Sequence, residues 1–442
     1  MGNNDGQDRY DVVVVGAGFT GLRAATTLDA AGLRVAVLEA RDRVGGKVES
    51  RHDACGDRVD TGGQFISDDM PLVLALVRSQ GKRLADVLDD GRGLAFTGDG
   101  PTADPVGLAQ VFDAAWDAWE ELATDPPPPM DPTESADDWL AARIHDPVML
   151  RAARGAVGGL MCMPIDRIPV TKMAEEVRDT PMTVDELQYI VVETMHQVAI
   201  DLAATLPEPV RLSTPVDLIS RDGAGVVVHA TGPAGATRLQ ADHVLLAVPP
   251  AALPLLRFEP QLPAEVSATF GAYVAGDVFK FLVRYERAFW ADHEAGSLRR
   301  FLNPAGLHIR AASPQSDRPT LVIFLGGAGA YQLQALTVEE REARIVDLLV
   351  EAYGPEAAAP VSFLERDWRP DRWGAGGYNN EVVDARFAPP HADAVGLLRS
   401  GVPGITFAST ELASAFPGYI EGALTAGTAA ADAVLTALGR PR

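Results

Sequence analysis

The stretch Asp11-Val12-Val13-Val14-Val15-Gly16-Ala17-Gly18-Phe19-Thr20-Gly21 decides how the rest of this 442-residue chain is read. Its valines favour a strand, and the glycine pattern after them opens what reads as a helix from Leu22 to about Ala31. Gly32 stands where a helix C-terminus takes a left-handed residue, and Arg34–Leu38 is a second apolar run that ends at Glu39. The whole is a βαβ unit. In Gly16-x-Gly18-x-x-Gly21, Gly16 permits a tight turn, Gly18 admits the backbone to a pyrophosphate, and Gly21 lets the helix pack closely on the strands. Phe19 and Thr20 lie at the helix N-terminus, whose amides and dipole face the anion. Glu39, 18 residues past Gly21, is the carboxylate expected to accept hydrogen bonds from a ribose. Strand, turn, helix, second strand and acid fall in register, so a dinucleotide site in a doubly wound α/β domain is expected.

Outward from this unit, helical spacing runs over Pro71–Leu122, with Trp116 and Trp119 on one face, until Pro126–Pro129 stops it as an extended surface spacer. Helical periodicity resumes from Asp137 to about Leu160 and from Val184 to Leu206, giving one mostly helical lobe. Short β-rich runs follow at Val210–Leu212, Val216–Ile219, Val226–His229 and Val244–Val248, with turns at Asp222-Gly223 and Gly232-Pro233. The last of these runs is apolar enough to lie in a buried sheet. Strands alternate with turns from Phe270 to Phe324, Thr337–Tyr353 is a helix, and an Ala-rich helix runs from Ile420 to near Leu438.

Composition narrows the function classes. With 38 Lys+Arg against 61 Asp+Glu, the net charge of −23 disfavours a nucleic-acid surface, so small-molecule partners are expected. Cys55 and Cys162 are too few for a disulfide framework and have no companions at metal-ligand spacing, so no metal site is expected. The polar, acidic start is not a secretion signal, and no run approaches the roughly 20 apolar residues that span a bilayer. A cytoplasmic enzyme with no membrane attachment is the expectation, with an isologous homodimer as its base-rate assembly.

Directly after the βαβ unit, the run Leu38-Glu39-Ala40-Arg41-Asp42-Arg43-Val44-Gly45-Gly46 resembles the FAD-binding signature of the flavin amine oxidases, the family of monoamine and polyamine oxidases. The resemblance covers the chain from Asp11 to about Leu438 and implies a Rossmann-type FAD-binding domain interleaved with an α+β substrate domain. The first is assigned residues 1–80, 207–256 and 396–442, and the second 81–206 and 257–395. FAD contacts are implied for Ala40, Arg41, Gly45, Gly46 and Lys47, and for Gly62, Gly63, Gln64 and Phe65 in the segment that passes the flavin ring. Thr214-Pro215-Val216 is similar to the strand where Val216 would meet the adenine, and Val244–Pro249 resembles the return strand.

The same resemblance places Lys280, in Gly276–Tyr285, beside the flavin with a water against N5. Trp368 and Trp373–Tyr378 look like the second flavin-facing segment, with Tyr378 as one wall of an aromatic cage and Tyr419, in Phe416–Gly422, as the other. Ser409 and Glu411 in Thr406–Glu411, with Gly418, Tyr419 and Ile420, resemble the C-terminal FAD segment. Gly377 stands where covalently flavinylated members carry cysteine, so non-covalent FAD is implied. Lys47 and Val48 depart from the usual Arg and Thr, and Ser409 from the usual Gly.

The implied chemistry is oxidation of a C–N bond in an amine, with hydride moving to flavin N5, an iminium as product and dioxygen reduced to hydrogen peroxide. Lys280, Tyr378 and Tyr419 are the catalytic candidates; Gln64 and Tyr378 also face substrate. Diamine users need a distal carboxylate, for which Glu49 and Glu193 are candidates, each with a surface salt bridge as its alternative. Arg310, in Leu307–Ala311, is the candidate for an amino-acid carboxylate, and His196 reads as a satisfied core histidine. Beside simple amine oxidation stand a biosynthetic tailoring oxidase that captures its iminium internally, acting on an amine or amide of a larger natural product, an L-amino-acid oxidase, and a carbon–carbon desaturase.

Overall fold

The computed structural model describes residues 9–87, 94–95, 124, 129–131, 133–222, 225–292, 301–302, 307–312, 318–378, 380–382 and 394–441. The opening unit forms as expected: strand Arg9–Val15, helix Phe19–Ala30 and strand Val35–Leu38, the two strands parallel. Gly32 closes the helix at φ +80°, its N–H bonded to Asp29 O, while Leu33 N–H reaches back to Leu28 O. The valine run is buried on both faces. Val12 and Val14 pack with Leu22 and Ala25 of the first helix and Leu424 and Ala431 of the last, whereas Val13 and Val15 pack with Leu246 and Ile405.

The principal sheet has seven strands. Across it run Arg257–Glu259, Val216–Asp222, Gly225–Gly232, Gly235–Leu246, Arg9–Val15 and Val35–Leu38, and Ile405–Phe407 pairs with Gly235–Leu246. The long strand Gly235–Leu246 changes partners midway. Its first half is antiparallel to Gly225–Gly232, and its apolar end is parallel to both Arg9–Val15 and Ile405–Phe407. The expected turn at Gly232-Pro233 forms. Val210–Leu212 contributes only a bridge from Arg211 to Leu38 rather than a strand.

A second, antiparallel sheet has the order Leu307–Ala311, Thr320–Gly326, Val278–Arg284, Ser362–Asp367. All seven residues of Val278–Arg284 are buried, because helix Val338–Tyr353 covers Phe279, Phe281 and Val283 with Ile345 and Leu349 while Leu282 on the other face packs with Ile190 and Phe65. On that other face Lys280 stands opposite Phe324, and Phe324 opposite His308, so three strands place Lys280, Phe324 and His308 in one row.

The helical lobe corrects three expectations. The segment from Asp137 is two helices, Ala136–Ala141 under a Ser135 capping box and Pro147–Met161, because Pro147 fits only a first helical turn. Within Val184–Leu206 only Met195–Ala203 is helical. Tyr189–Val191 is a strand between Phe65–Ile66 and Leu84–Asp86, since a short apolar run fits either periodicity and the sheet partners decide. Helix Val170–Asp179 was not signalled by the pattern. Of Pro71–Leu122, Pro71–Ser79 is helix, while Leu84–Asp86 and Leu94–Ala95 are strands. Trp116, Trp119, Pro126–Pro128 and Gly223 lie outside the described residues. Among the described residues, no helix is long and apolar enough to cross a membrane.

Candidate active site

A continuous cavity runs between the two sheets, from the first helix N-terminus to the Lys280–Phe324 row, and this elongated lining suits an extended cofactor. Gly16, Gly18, Phe19, Thr20, Gly45 and Gly46 line the stretch at the first helix N-terminus. Glu39, Ala40, Arg41 and Val216 line a second stretch, and Lys280, Trp368, Tyr378, Tyr419 and Ile420 a third. Lys47, Gly62, Gly63, Ser409, Glu411 and Gly418 complete the expected lining. The Lys47 ammonium and the Ser409 hydroxyl, both in this wall, are buried without a hydrogen-bond partner, although Lys47 lies 3.5 Å from Glu411. Such groups call for a polar ligand, and an FAD with its pyrophosphate and hydroxyls fits them.

Glu39 is oriented by the backbone around it: one carboxylate oxygen accepts Ala17 N–H at 2.7 Å and the other Arg41 N–H at 2.9 Å. Arg41 is fixed in turn by Asp371, which also takes Arg366 at 2.9 Å. Gly21 does not line the cavity. It serves packing, since a Cβ there would stand 2.0 Å from Gly16 O.

Lys280 is the most constrained charge in the site. Its Nζ donates to Asp60 O at 2.8 Å, to Gly62 O at 2.7 Å and to Gln64 Oε1, and lies 5.4 Å from the Phe324 ring. Three acceptors match the three hydrogens of an ammonium. Burial nonetheless pulls its pKa well below the ordinary lysine value, with the Asp60 charge as the opposing influence. Burial likewise raises Asp60, whose carboxylate accepts Met195 N–H at 2.7 Å and His196 N–H at 3.2 Å at the start of helix Met195–Ala203. Gln64 therefore supports Lys280 instead of lining the cavity. Phe65 also stands behind the wall, edge-on to Phe324 at 6.0 Å.

Tyr378 donates to Gly159 O at 3.3 Å and meets Phe324 edge-on, 6.3 Å between centroids. Tyr419 precedes helix Ile420–Ala437 and donates its phenol proton to Glu186. Burial, helped by the Glu186 charge, raises both phenols well above their usual pKa, so both stay protonated.

The substrate candidates fare differently. Glu49 is neither at the cavity nor on the surface. It is buried among Arg51 at 2.7 Å, Arg43 at 2.8 Å and Arg366 at 3.0 Å, and accepts the Thr61 hydroxyl at 2.8 Å. Burial alone would push its pKa up, but Arg43 and Arg366 outweigh it and hold the carboxyl below the usual range. Glu49→Gln should therefore cost about 3 kcal/mol by stranding buried guanidinium groups, measured as a fall in denaturation midpoint. The wild-type advantage should be complete above the unfolded carboxyl pKa of about 4.3 and fade as pH drops through the lower folded value. Glu193 pairs with Arg83 at 2.7 Å on the surface, its alternative reading. Arg310 is buried against Asp185 at 2.9 Å and does not line the cavity. His196 is satisfied, with Ser50 on Nδ1 and Val44 O on Nε2, 3.0 Å each.

Two site residues carried no sequence signal. Phe324 lines the cavity between Lys280 and Tyr378, and Glu186 holds Tyr419, while Asp60, which opens the segment resembling the flavin-passing one, faces Lys280 without having been assigned that role. Only the sheet register and the closing of distant loops reveal them.

A glycine-cradled dinucleotide cavity ending at a buried lysine and two tyrosines defines an FAD-dependent amine oxidoreductase. The chain belongs to the flavin-containing amine oxidoreductase family, whose profile matches residues 19–124 and 140–435, and FAD is its cofactor. It is 32% identical to putrescine oxidase of Kocuria rosea over 97% of this chain and 95% of that one. It is 28% identical to flavin-containing amine oxidase B of Bos taurus, over 98% and 87%. Among solved structures, cyclohexylamine oxidase from Brevibacterium oxydans superposes with a TM-score of 0.87 at 28% identity, over 98% of this chain and 100% of that one. A putrescine oxidase bound to putrescine gives 0.85 at 26% identity, over 97% and 99%.

Proposed function

We propose that this enzyme oxidises the C–N bond of a small amine to an iminium, with dioxygen as the final acceptor and hydrogen peroxide as co-product. The observation that carries the reading is Lys280, held by three acceptors on the row that also presents Phe324, beside cavity-lining Tyr378 and Tyr419. FAD, which the glycine turns at Gly16–Gly18 and Gly45–Gly46, Glu39 and Lys47 would hold, would supply the two-electron redox chemistry that links amine oxidation to dioxygen. The protein's part is position and dryness. Tyr378 and Tyr419 offer electron-rich faces that align the amine nitrogen and its α-carbon, and Phe324 and Ile420 keep water from the reacting face. Lys280 assists reoxidation from the backbone cradle of Asp60 and Gly62. Because Gln64 takes its third hydrogen, a water beside Lys280 requires Gln64 to give way.

Among the described residues, no side chain at the cavity favours the other substrate classes. Arg310 is already engaged by Asp185, which argues against an amino-acid carboxylate, and Glu49, one ground for a tailoring oxidase, is enclosed by arginines. Gly377 offers no thiol, so FAD is held without a covalent bond.

The test is peroxide release from holoenzyme across short alkyl amines, cyclic amines, diamines and amino acids, with product mass spectrometry. Amines should give peroxide together with the aldehyde or ketone, and acid should free all the flavin from the polypeptide. A bound, reducible flavin with peroxide from none of the amines would sink the reading, and a cyclised product would restore internal capture.

A further inference from the structure

Among the described residues, Glu186 is the one carboxylate whose charge bears on both cage tyrosines. It sits in the loop before strand Tyr189–Val191, accepts the Tyr419 hydroxyl, and lies outside the cavity lining, reaching the cavity through that phenol. A phenol that donates to an anionic acceptor forms a charge-assisted hydrogen bond and gains electron density on its ring. Electron-rich rings attract an ammonium or amine more strongly. Resting on the amine-oxidase reading, we propose that Glu186 is a positioning residue for catalysis, acting through Tyr419 to orient that cage wall and enrich its face toward the substrate nitrogen.

The surroundings fit such a role. Asp185 on the same loop is tied up by Arg310, so its charge is largely compensated, while Arg310 and His308 approach from the antiparallel sheet and Glu176 from helix Val170–Asp179. Burial keeps His308 neutral, leaving Arg310 as the cation facing Glu186. Burial also raises the Glu186 pKa, first through desolvation and then through Asp185, against the Tyr419 hydrogen bond and Arg310. Ionised Glu186 accepts from Tyr419. As pH falls through that raised value the carboxyl is protonated, and its pull on the phenol is lost.

The experiment is a double-mutant cycle on holoenzyme with Glu186→Gln, Tyr419→Phe and both together. It reads the Kd of a non-oxidisable quaternary ammonium, tetramethylammonium, from perturbation of the flavin spectrum, and the pH profile of anaerobic flavin reduction. Each single variant should weaken the Kd about tenfold, within the range of one cation–π contact. The double variant should be no worse than Tyr419→Phe alone, and the acidic limb, which in the wild type combines substrate-ammonium deprotonation with Glu186, should narrow in Glu186→Gln to the substrate step alone.

If Glu186→Gln costs the same in the Tyr419→Phe background, the carboxylate acts on substrate directly or only on structure, and the proposal falls; an effect confined to diamines would identify direct contact with a second ammonium. Should Glu186→Gln fail to hold flavin, Tyr419→Phe, which keeps the carboxylate and removes its hydrogen bond, carries the same expectation, and an unchanged Kd overturns it. Loss of all amine oxidation by wild type would instead defeat the underlying function.

Discussion

Lys280→Met should purify yellow, be reduced by amine at close to the wild-type rate, and return its electrons to dioxygen about 10²-fold more slowly, the scale of a lost proton-transfer or electrostatic partner. Stopped-flow absorbance in separate anaerobic and aerobic mixing experiments distinguishes the two half-reactions. The expectation follows from placement. Lys280 is a cation in a strand buried along its whole length, and nothing about packing requires it there, since the neighbouring positions are Phe279 and Phe281. Its methylene stem fits methionine, but Asp60 O, Gly62 O and Gln64 lose their donor, so the variant should also melt lower. Desolvation depresses the Lys280 pKa, so the wild-type reoxidation rate should fall as pH rises through that lowered value, and the methionine variant should be flat over the same range. Equal reoxidation rates in variant and wild type would remove Lys280 from the chemistry.

Gly16→Ala should yield a colourless protein that stays colourless when FAD is added. At φ +103° a side chain is strained, and its Cβ would stand 2.3 Å from Ala247 O, just past the end of the adjoining parallel strand. The turn has nowhere to move, because Gly16 N–H is bonded to Leu38 O at 2.7 Å across the same sheet. Backbone strain and overpacking together cost on the order of 3 kcal/mol, and the displaced turn removes the amide cradle for the pyrophosphate. Gly32→Ala is the control. Its φ of +80° carries similar strain, but no atom lies within 4 Å of the new Cβ, so it should lose stability and keep its flavin. Absorbance near the flavin band and a thermal melt on both variants decide the matter; a yellow Gly16→Ala protein would mean that the turn is not the phosphate site.

The parts of this enzyme that the sequence reveals are those encoded by neighbours along the chain. The first strand, glycine turn and helix follow from residues a few positions apart, whose burial and backbone angles leave little choice. The segments around Lys280, Tyr378 and Tyr419 were singled out by their resemblance to the flavin amine oxidases rather than by local pattern. Misread elements are those where one pattern suits two structures: Tyr189–Val191 became a strand only because Phe65–Ile66 and Leu84–Asp86 lie alongside it.

Side-chain partnerships were hidden more deeply. Glu49 looked available for substrate until the fold brought Arg366, 317 residues away, against it, and Glu186 had no distinguishing mark until Tyr419, 233 residues on, closed over its loop. The sequence by itself determined the nucleotide-binding unit and, through motifs that resemble the flavin amine oxidases, the cofactor class and the candidate lysine and tyrosines, because backbone conformation and short motifs are local properties. Tertiary structure alone decided which charges face the cavity and which neutralise one another, because a charge settles beside whatever partner the packed chain delivers within a few ångströms, however distant that partner is in sequence.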